Sequence, residues 1–72
     1  MDVKWRFGSA VRARRVALGI SQEELALRID ADQAYVSRIE AGAMNVTLET
    51  AQQVADALET DVAALFPAPP RS

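Results

Sequence analysis

Residues 21–42 read SQEELALRIDADQAYVSRIEAG, and this stretch contains the strongest structural signals of the chain. Ser21 and Glu24 have the spacing of a capping box, in which each side chain hydrogen-bonds to the other residue's backbone N–H. The box and the apolar residues behind it predict a short helix over residues 22–29. This helix is the first half of a two-helix unit.

A second short helix follows after a polar turn at residues 30–32. Asp32 has the chemistry of an N-cap for a helix over residues 33–41. Gly42 ends that helix, because glycine adopts the left-handed backbone found after helix ends at little cost. Two short helices joined by a compact turn predict a helix-turn-helix, whose second helix can enter the major groove of DNA.

The flanking sequence predicts three further helices. One covers residues 4–18, a second covers residues 48–58 behind the cap Thr47, and a last short one covers residues 62–66 behind the cap Asp61. Alternation of apolar and polar residues, which would indicate strands, does not persist anywhere. We therefore predict an all-α domain of five helices over residues 1–66 and a mobile proline-rich tail over residues 67–72.

The composition argues against several classes of protein. The chain of 72 residues has no cysteine and no histidine, so it lacks the usual metal ligands, the thiol nucleophile and the commonest general base. We expect no cofactor and no enzymatic activity. The polar N-terminus and the lack of a long apolar segment predict a cytoplasmic protein.

The charge is distributed unevenly along the chain. The net charge is −2; residues 1–42 carry seven basic and six acidic residues, which gives +1, and residues 43–72 carry one basic and four acidic residues, which gives −3. Nucleic-acid binders are usually basic, so the total argues mildly against DNA binding. The distribution instead favours a DNA-binding surface in the N-terminal half and another role for the C-terminal half.

One face of the predicted second helix of the unit carries candidate base-reading side chains. Gln33 can pair with adenine through two hydrogen bonds, and Arg38 can bind guanine or a phosphate. On the same face, Ala34 can contact a thymine methyl group and Ser37 can bind a base or a phosphate. The alternatives are a solvated Gln33, an Arg38 paired within its helix, and two small residues that merely permit close approach.

Several of these residues occur in motifs of a known family. The chain contains Phe7-Gly8, Val11-Arg12-x-x-Arg15, the run from Leu18 to Ala26, the run from Tyr35 to Gly42, and Leu65-Phe66. Together they resemble the Cro and lambda-CI-type (Xre-like) repressors of bacteria and phages. The resemblance implies a lambda-repressor-like domain in which residue 33 reads a base.

The resemblance also implies roles for other residues. Gln22 would bind a phosphate and brace Gln33, and Arg15 with Glu40 would form an internal ion pair. Further phosphate contacts are expected from Tyr35, Arg12, Arg14 and Asn45, although Tyr35 is equally suited to support the helix from a partly buried position. The capping residues are expected to be Ser21, Asp32, Thr47 and Asp61.

Within this family the chain is most similar to the restriction-modification controller proteins. These are short and carry the run seen here from Asp32 to Gly42, with Asn45 and Thr47 nearby. The chain departs from the family at Asp30 and Glu59, where relatives often have glycine. Since glutamate tolerates a left-handed backbone poorly, we expect the second of these turns to differ in shape.

One such domain makes too few base contacts for useful specificity, so we expect a homodimer that reads a palindromic operator. The candidate dimer interface is the apolar C-terminal third, namely Leu48, Ala51, Gln52, Leu58, Val62 and Leu65. The alternative is that these residues fill the core of the monomer. The predicted function is a sequence-specific regulator of transcription, of the repressor or controller type. The competing hypothesis is a protein-interaction module, such as an antitoxin-like component of a complex.

Overall fold

The computed structural model describes residues 2–66, and these form an all-helical domain without strands. The α-helices are α1 (Val3–Ala17), α2 (Gln22–Arg28), α3 (Gln33–Glu40) and α4 (Leu48–Ala57), and a 3-10 helix follows at Val62–Leu65. The all-helical prediction is confirmed with four α-helices, and the predicted fifth helix is a four-residue 3-10 turn rather than an α-helix. The predicted tail, residues 67–72, lies outside the described residues.

Side-chain caps define where the α-helices begin. Ser21 accepts a hydrogen bond from the backbone N–H of Glu24 at 3.0 Å, and Asp32 accepts from that of Tyr35 at 2.8 Å. Thr47 likewise accepts a hydrogen bond from the backbone N–H of Thr50 at 3.0 Å. The prediction of a fourth side-chain cap at Asp61 is wrong. Asp61 has an extended backbone, but its side chain makes no capping hydrogen bond. A four-residue segment without a cap has little to stabilise a full α-helical turn.

Two caps differ from the sequence prediction in other ways. Asp2 caps α1 by accepting from the backbone N–H of Lys4 at 2.9 Å, a cap that was not predicted. In α2 the carboxylate of Glu24 accepts from Arg28 Nε at 3.1 Å. Glu24 thus forms an ion pair along its own helix as well as supplying the N–H that Ser21 caps.

The turns after the helices use left-handed residues. Gly19 and Gly42 have φ angles of 71° and 70°, as glycine allows at such positions. Asp30 and Glu59 adopt the same region, with φ of 56° and 58°. Glu59 therefore takes the left-handed backbone conformation that a glycine would take.

The core lies between the helices and includes much of the predicted dimer interface. The buried apolar residues among those described are Phe7, Val11, Leu25, Ala26, Ile29, Val36, Ile39, Ala51, Val54, Ala55, Leu58 and Leu65. Assignment of Ala51, Leu58 and Leu65 to a dimer interface is thus corrected, because the monomer already covers them. The ring of Phe66 stacks on that of Phe7, with centroids 4.8 Å apart, and ties the C-terminal turn to α1.

Small residues allow the helices to approach closely around α3. A Cβ atom on Gly8 would overlap the backbone carbonyl of Ile39, so α1 and α3 touch backbone to backbone at this point. Ala26 is buried, and its carbonyl accepts from the N–H of Ala31 at 2.8 Å, which closes the turn between α2 and α3. These contacts hold α3 at the surface with one side free. Across residues 2–66, no helix has both the length and the apolar character that crossing a bilayer requires.

Candidate nucleic-acid interface

The outer face of α3 carries the predicted base-reading residues. Val36 and Ile39 are buried beneath the helix, while the side opposite them is exposed. That exposed side consists of Gln33, Ala34, Ser37 and Arg38. The structure therefore brings all four candidate residues onto one accessible face of a helix, which is the arrangement that insertion into a major groove requires.

An ion pair beneath this face joins the end of α3 to α1. Arg15 Nε lies 2.6 Å from Glu40 Oε2, and Arg15 Nη2 lies 3.0 Å from Glu40 Oε1. The third guanidinium nitrogen donates to the carbonyl of Ile20 at 2.9 Å. The side chains of Arg15 and Glu40 are only 13% and 5% exposed.

The hydrogen bond that Arg15 donates to Glu40, helped by the charge of the Glu40 carboxylate, raises the pKa of Arg15 despite partial burial of the guanidinium. The guanidinium therefore remains charged near neutral pH. A bidentate arginine–carboxylate pair fixes both side chains in orientation as well as in distance. The carboxylate of Glu40 is thus held in place at the point where α3 meets α1 and α2.

The ion pair continues as a chain of hydrogen bonds to the exposed face. Gln22 Nε2 donates to Glu40 Oε1 at 3.1 Å, and Gln33 Nε2 donates to Gln22 Oε1 at 3.0 Å. The chain begins at the half-buried Arg15 and ends at Gln33, which is exposed in the first turn of α3. Gln22, the first residue of α2, therefore touches the residue that the sequence analysis assigned to base reading.

Comparison with known proteins agrees with this geometry. The profile of the helix-turn-helix family HTH_3 matches residues 11–65. Control protein C.MunI from Mycoplasma sp is 36% identical over 66 residues, covering 90% of this chain and 89% of that protein. Control protein C.BamHI from Bacillus amyloliquefaciens is 36% identical over 58 residues, covering 79% and 72%.

The chain belongs to the helix-turn-helix family. A solved relative is the restriction-modification controller protein C.AhdI from Aeromonas hydrophila, with 39% identity, coverage of 86% of this chain and 90% of that one, and a TM-score of 0.82. The family match and these controller relatives together identify the chain as a DNA-binding regulator of transcription. A hydroxypropylphosphonic acid epoxidase from S. wedmorenis has a TM-score of 0.87 but 24% identity, and only 35% of its length is matched. That likeness shows the fold alone.

The predicted phosphate-binding residues of this helix-turn-helix chain occupy different environments. Gln22 is half-buried through its two amide contacts, and Tyr35 is half-buried against the core. Arg12 is exposed on α1, in a shallow depression that it shares with Trp5 and Glu40. Asn45 is exposed in the loop after α3. These residues keep their proposed role as phosphate contacts.

Arg14 has a different role from the one predicted. Its Nε donates to the carbonyl of Leu58 at 2.9 Å, and its Nη2 donates to the carbonyl of Glu59 at 3.1 Å. These carbonyls lie at the C-terminal end of α4, where helix carbonyls lack partners within the helix and the helix dipole favours a positive charge. Arg14 therefore serves to hold α4 on α1, and its assignment as a phosphate contact is corrected.

The charge that this chain offers to DNA is consequently smaller than the sequence suggests. Arg28 pairs with Glu24 and donates to the carbonyl of Ala57 at 3.0 Å. Together with Arg14 and Arg15, it is used in contacts inside the domain. Arg12 and Arg38 are exposed basic residues of the N-terminal half. The contacts of Arg14 and Arg28 with the carbonyls near the end of α4 have no signal in the sequence, because partners on different helices are not spaced regularly along the chain.

The remaining candidates for a dimer interface lie around α4. Leu48, at the first position of α4, is 81% exposed. Gln52 is exposed one turn later and donates to Asp56 Oδ1 at 2.7 Å, and Val62 of the 3-10 helix is half-buried. Of the six residues predicted, these three keep side-chain surface that a second subunit could cover.

Proposed function

We propose that this chain is a restriction-modification controller that acts in the cytoplasm as a homodimer on a palindromic operator. The observation that carries the proposal is the exposed face of α3, on which Gln33 is held by a chain of hydrogen bonds from the domain interior. An ordered amide pays less conformational entropy on binding than a mobile one. Controller function is supported by the names of C.MunI, C.BamHI and C.AhdI.

In this proposal α3 enters the major groove with its N-terminal end toward the bases. Gln33 pairs with a base, Arg38 binds guanine or a phosphate, and the small side chains of Ala34 and Ser37 allow close approach. The N-terminus of α2 lies beside a phosphate. The side chains that contact the DNA backbone are those of Gln22, Tyr35, Arg12 and Asn45. Phosphate contacts set the register of the helix, and the base contacts give the specificity.

The homodimer is proposed to form through the outer surface of α4 and the 3-10 helix. Leu48 is a large apolar side chain that the monomer leaves open, and Gln52 and Val62 lie in the same C-terminal third. A domain of this size buries a modest fraction of its unfolded surface, so covering further apolar surface stabilises it. Two recognition helices about 34 Å apart would then face successive major grooves.

DNA recognition can be tested by selecting bound sequences from a random duplex pool and measuring their affinity against random DNA. We expect a palindromic consensus and a log–log salt dependence of roughly 0.9 per phosphate contacted. Gln33→Ala is expected to lose about 1–3 kcal/mol of preference at one base pair of each half-site. Equal losses on selected and random DNA would remove Gln33 as a base reader. An absence of binding at low salt would favour the protein-interaction module instead.

The dimer can be tested with two exposed leucines on different helices. Leu48→Glu should weaken dimerisation by about 2 kcal/mol or more, because the charge is desolvated once in each subunit of a symmetric interface. Leu27→Glu is the matched control, since Leu27 is 75% exposed on α2. Sedimentation velocity over a range of concentrations measures both. Equal dimerisation by the two variants would place the interface elsewhere.

A further inference from the structure

Glu40 is the charged residue at the inner end of the hydrogen-bond chain, and its carboxylate dictates the orientation of the side-chain amides of Gln22 and Gln33. We propose that Glu40 is a specificity-determining positioning residue, because it fixes the order in which Gln33 presents its hydrogen-bond donor and acceptor to a base pair. This inference rests on the proposed function, in which Gln33 reads a base. Glu40 itself lies too deep to touch DNA, with a side chain that is 5% exposed.

The first step is the contact between Glu40 and Gln22. An ionised carboxylate can only accept hydrogen bonds, so the amide group facing it must be the NH₂ group. Gln22 Nε2 accordingly lies 3.1 Å from Glu40 Oε1. The reversed amide would bring its oxygen against the carboxylate oxygen, and two acceptors in contact repel. The amide oxygen of Gln22 is therefore directed away from Glu40.

The second step passes this direction on to α3. Gln22 Oε1 is an acceptor, so the side chain that meets it must donate, and Gln33 Nε2 does so at 3.0 Å. A reversed Gln33 would again place oxygen against oxygen. The amide of Gln33 is thus oriented by a carboxylate two hydrogen bonds away, and Arg15 keeps that carboxylate fixed through its bidentate contact.

The third step concerns what remains free on Gln33. After one N–H is used by Gln22, the amide still offers its second N–H and its oxygen. Adenine presents an acceptor at N7 and a donor at N6 in the major groove, which this pair of groups matches, whereas guanine presents two acceptors there. Reversal of the amide would exchange the positions of donor and acceptor. A fixed direction therefore favours one base at that position.

Two variants separate amide direction from loss of the ion pair. Glu40→Gln and Arg15→Gln both remove the charge pair and leave a hydrogen-bonding side chain in its place. Only Glu40→Gln replaces the acceptor that faces Gln22 by an amide, which can either donate or accept. Affinities are measured for duplexes carrying each of the four base pairs at the position whose preference Gln33→Ala abolishes, at a temperature where circular dichroism shows both variants folded.

The unchanged protein should discriminate at this position by roughly 5- to 150-fold, the range for a bidentate base contact. We expect Glu40→Gln to reduce this ratio to within about threefold, while Arg15→Gln retains most of it. A retained preference in Glu40→Gln would overturn the proposal, as would an equal loss in both variants. A position-specific preference that survives in Glu40→Gln would leave the proposed function intact, whereas no preference at any position would remove that function itself.

A third variant keeps the test valid if loss of the ion pair prevents folding. Gln22→Met preserves the contact between Arg15 and Glu40 but cannot transmit the direction of hydrogen bonding. Loss of preference at the Gln33 position alone, with the other positions unchanged, supports the proposal. Unchanged preference at the Gln33 position overturns it.

Discussion

Two adjacent arginines of α1 hold different elements of this domain, and they do so in different ways. Arg15 binds the carboxylate of Glu40 at the recognition end, where α1, α2 and α3 meet. Arg14 binds the backbone carbonyls of Leu58 and Glu59 at the end of α4. The first contact pairs two side chains that are largely buried, whereas the second satisfies the open end of a helix.

The difference lies in what each contact leads to. The carboxylate bound by Arg15 accepts a further bond from Gln22, and through it the contact extends to the exposed face of α3. The carbonyls bound by Arg14 belong to the turn after α4, and this contact does not extend to the exposed face of α3. A change to the carboxylate of Glu40 should therefore alter both stability and DNA reading, while a change to Arg14 should alter stability alone.

The largest effect is expected at the recognition end. Glu40→Ala should lower the free energy of unfolding by about 3 kcal/mol, because it leaves the charged guanidinium of Arg15 with little water and no carboxylate. Urea denaturation followed by circular dichroism measures the loss. The double variant Arg15→Met with Glu40→Leu should lose less than Glu40→Ala, since it leaves no unpaired charge. Equal losses in the two proteins would mean that the contact acts through packing rather than through charge.

A smaller effect is expected at the α4 end. Arg14→Met should cost about 1.5 kcal/mol, because it removes two charge-assisted hydrogen bonds from partly exposed carbonyls. Arg12→Met is the matched control on the same helix, since Arg12 is exposed and its loss should change stability by less than about 0.5 kcal/mol. Urea denaturation compares the two. At a temperature where it is folded, Arg14→Met should bind the selected operator as the unchanged protein does. A loss of operator affinity there would return Arg14 to the DNA interface.

Local signals made most of the fold predictable. The caps Ser21, Asp32 and Thr47 and the glycines Gly19 and Gly42 act on their own neighbours, so their effect can be recognised within a few residues of sequence. The exposed face of α3 followed from helical spacing for the same reason. The pairing of Arg15 with Glu40 came from the family resemblance, because nothing in the spacing of two residues 25 positions apart indicates a contact.

What escaped prediction depends on contacts between distant elements. Leu48 and Leu58 belong to one predicted apolar helix face, yet the first is exposed and the second is buried, because only the second is part of the core cluster. The role of Gly8 depends on how closely the backbone of Ile39 approaches. Arg14 and Arg12 are both arginines of α1, but only Arg14 faces the carbonyls of Leu58 and Glu59, while Arg12 is exposed. The core and the interface share one pattern of apolar residues, so sequence alone could not divide them.

The smallest effect concerns the turn that Arg14 holds. Glu59 has a φ of 58°, a conformation that is unfavourable for residues with a Cβ atom and favourable for glycine. Glu59→Gly should therefore raise the free energy of unfolding by about 1 kcal/mol. The carboxylate of Glu59 lies 3.8 Å from Arg28 in an exposed pair, which contributes little. Glu59→Ala is the control, because it removes the same carboxylate and keeps the unfavourable φ. If urea denaturation found the two variants equally stable, the left-handed φ of residue 59 would carry no strain. The contacts of Arg14 would then not be needed to offset any strain in this turn.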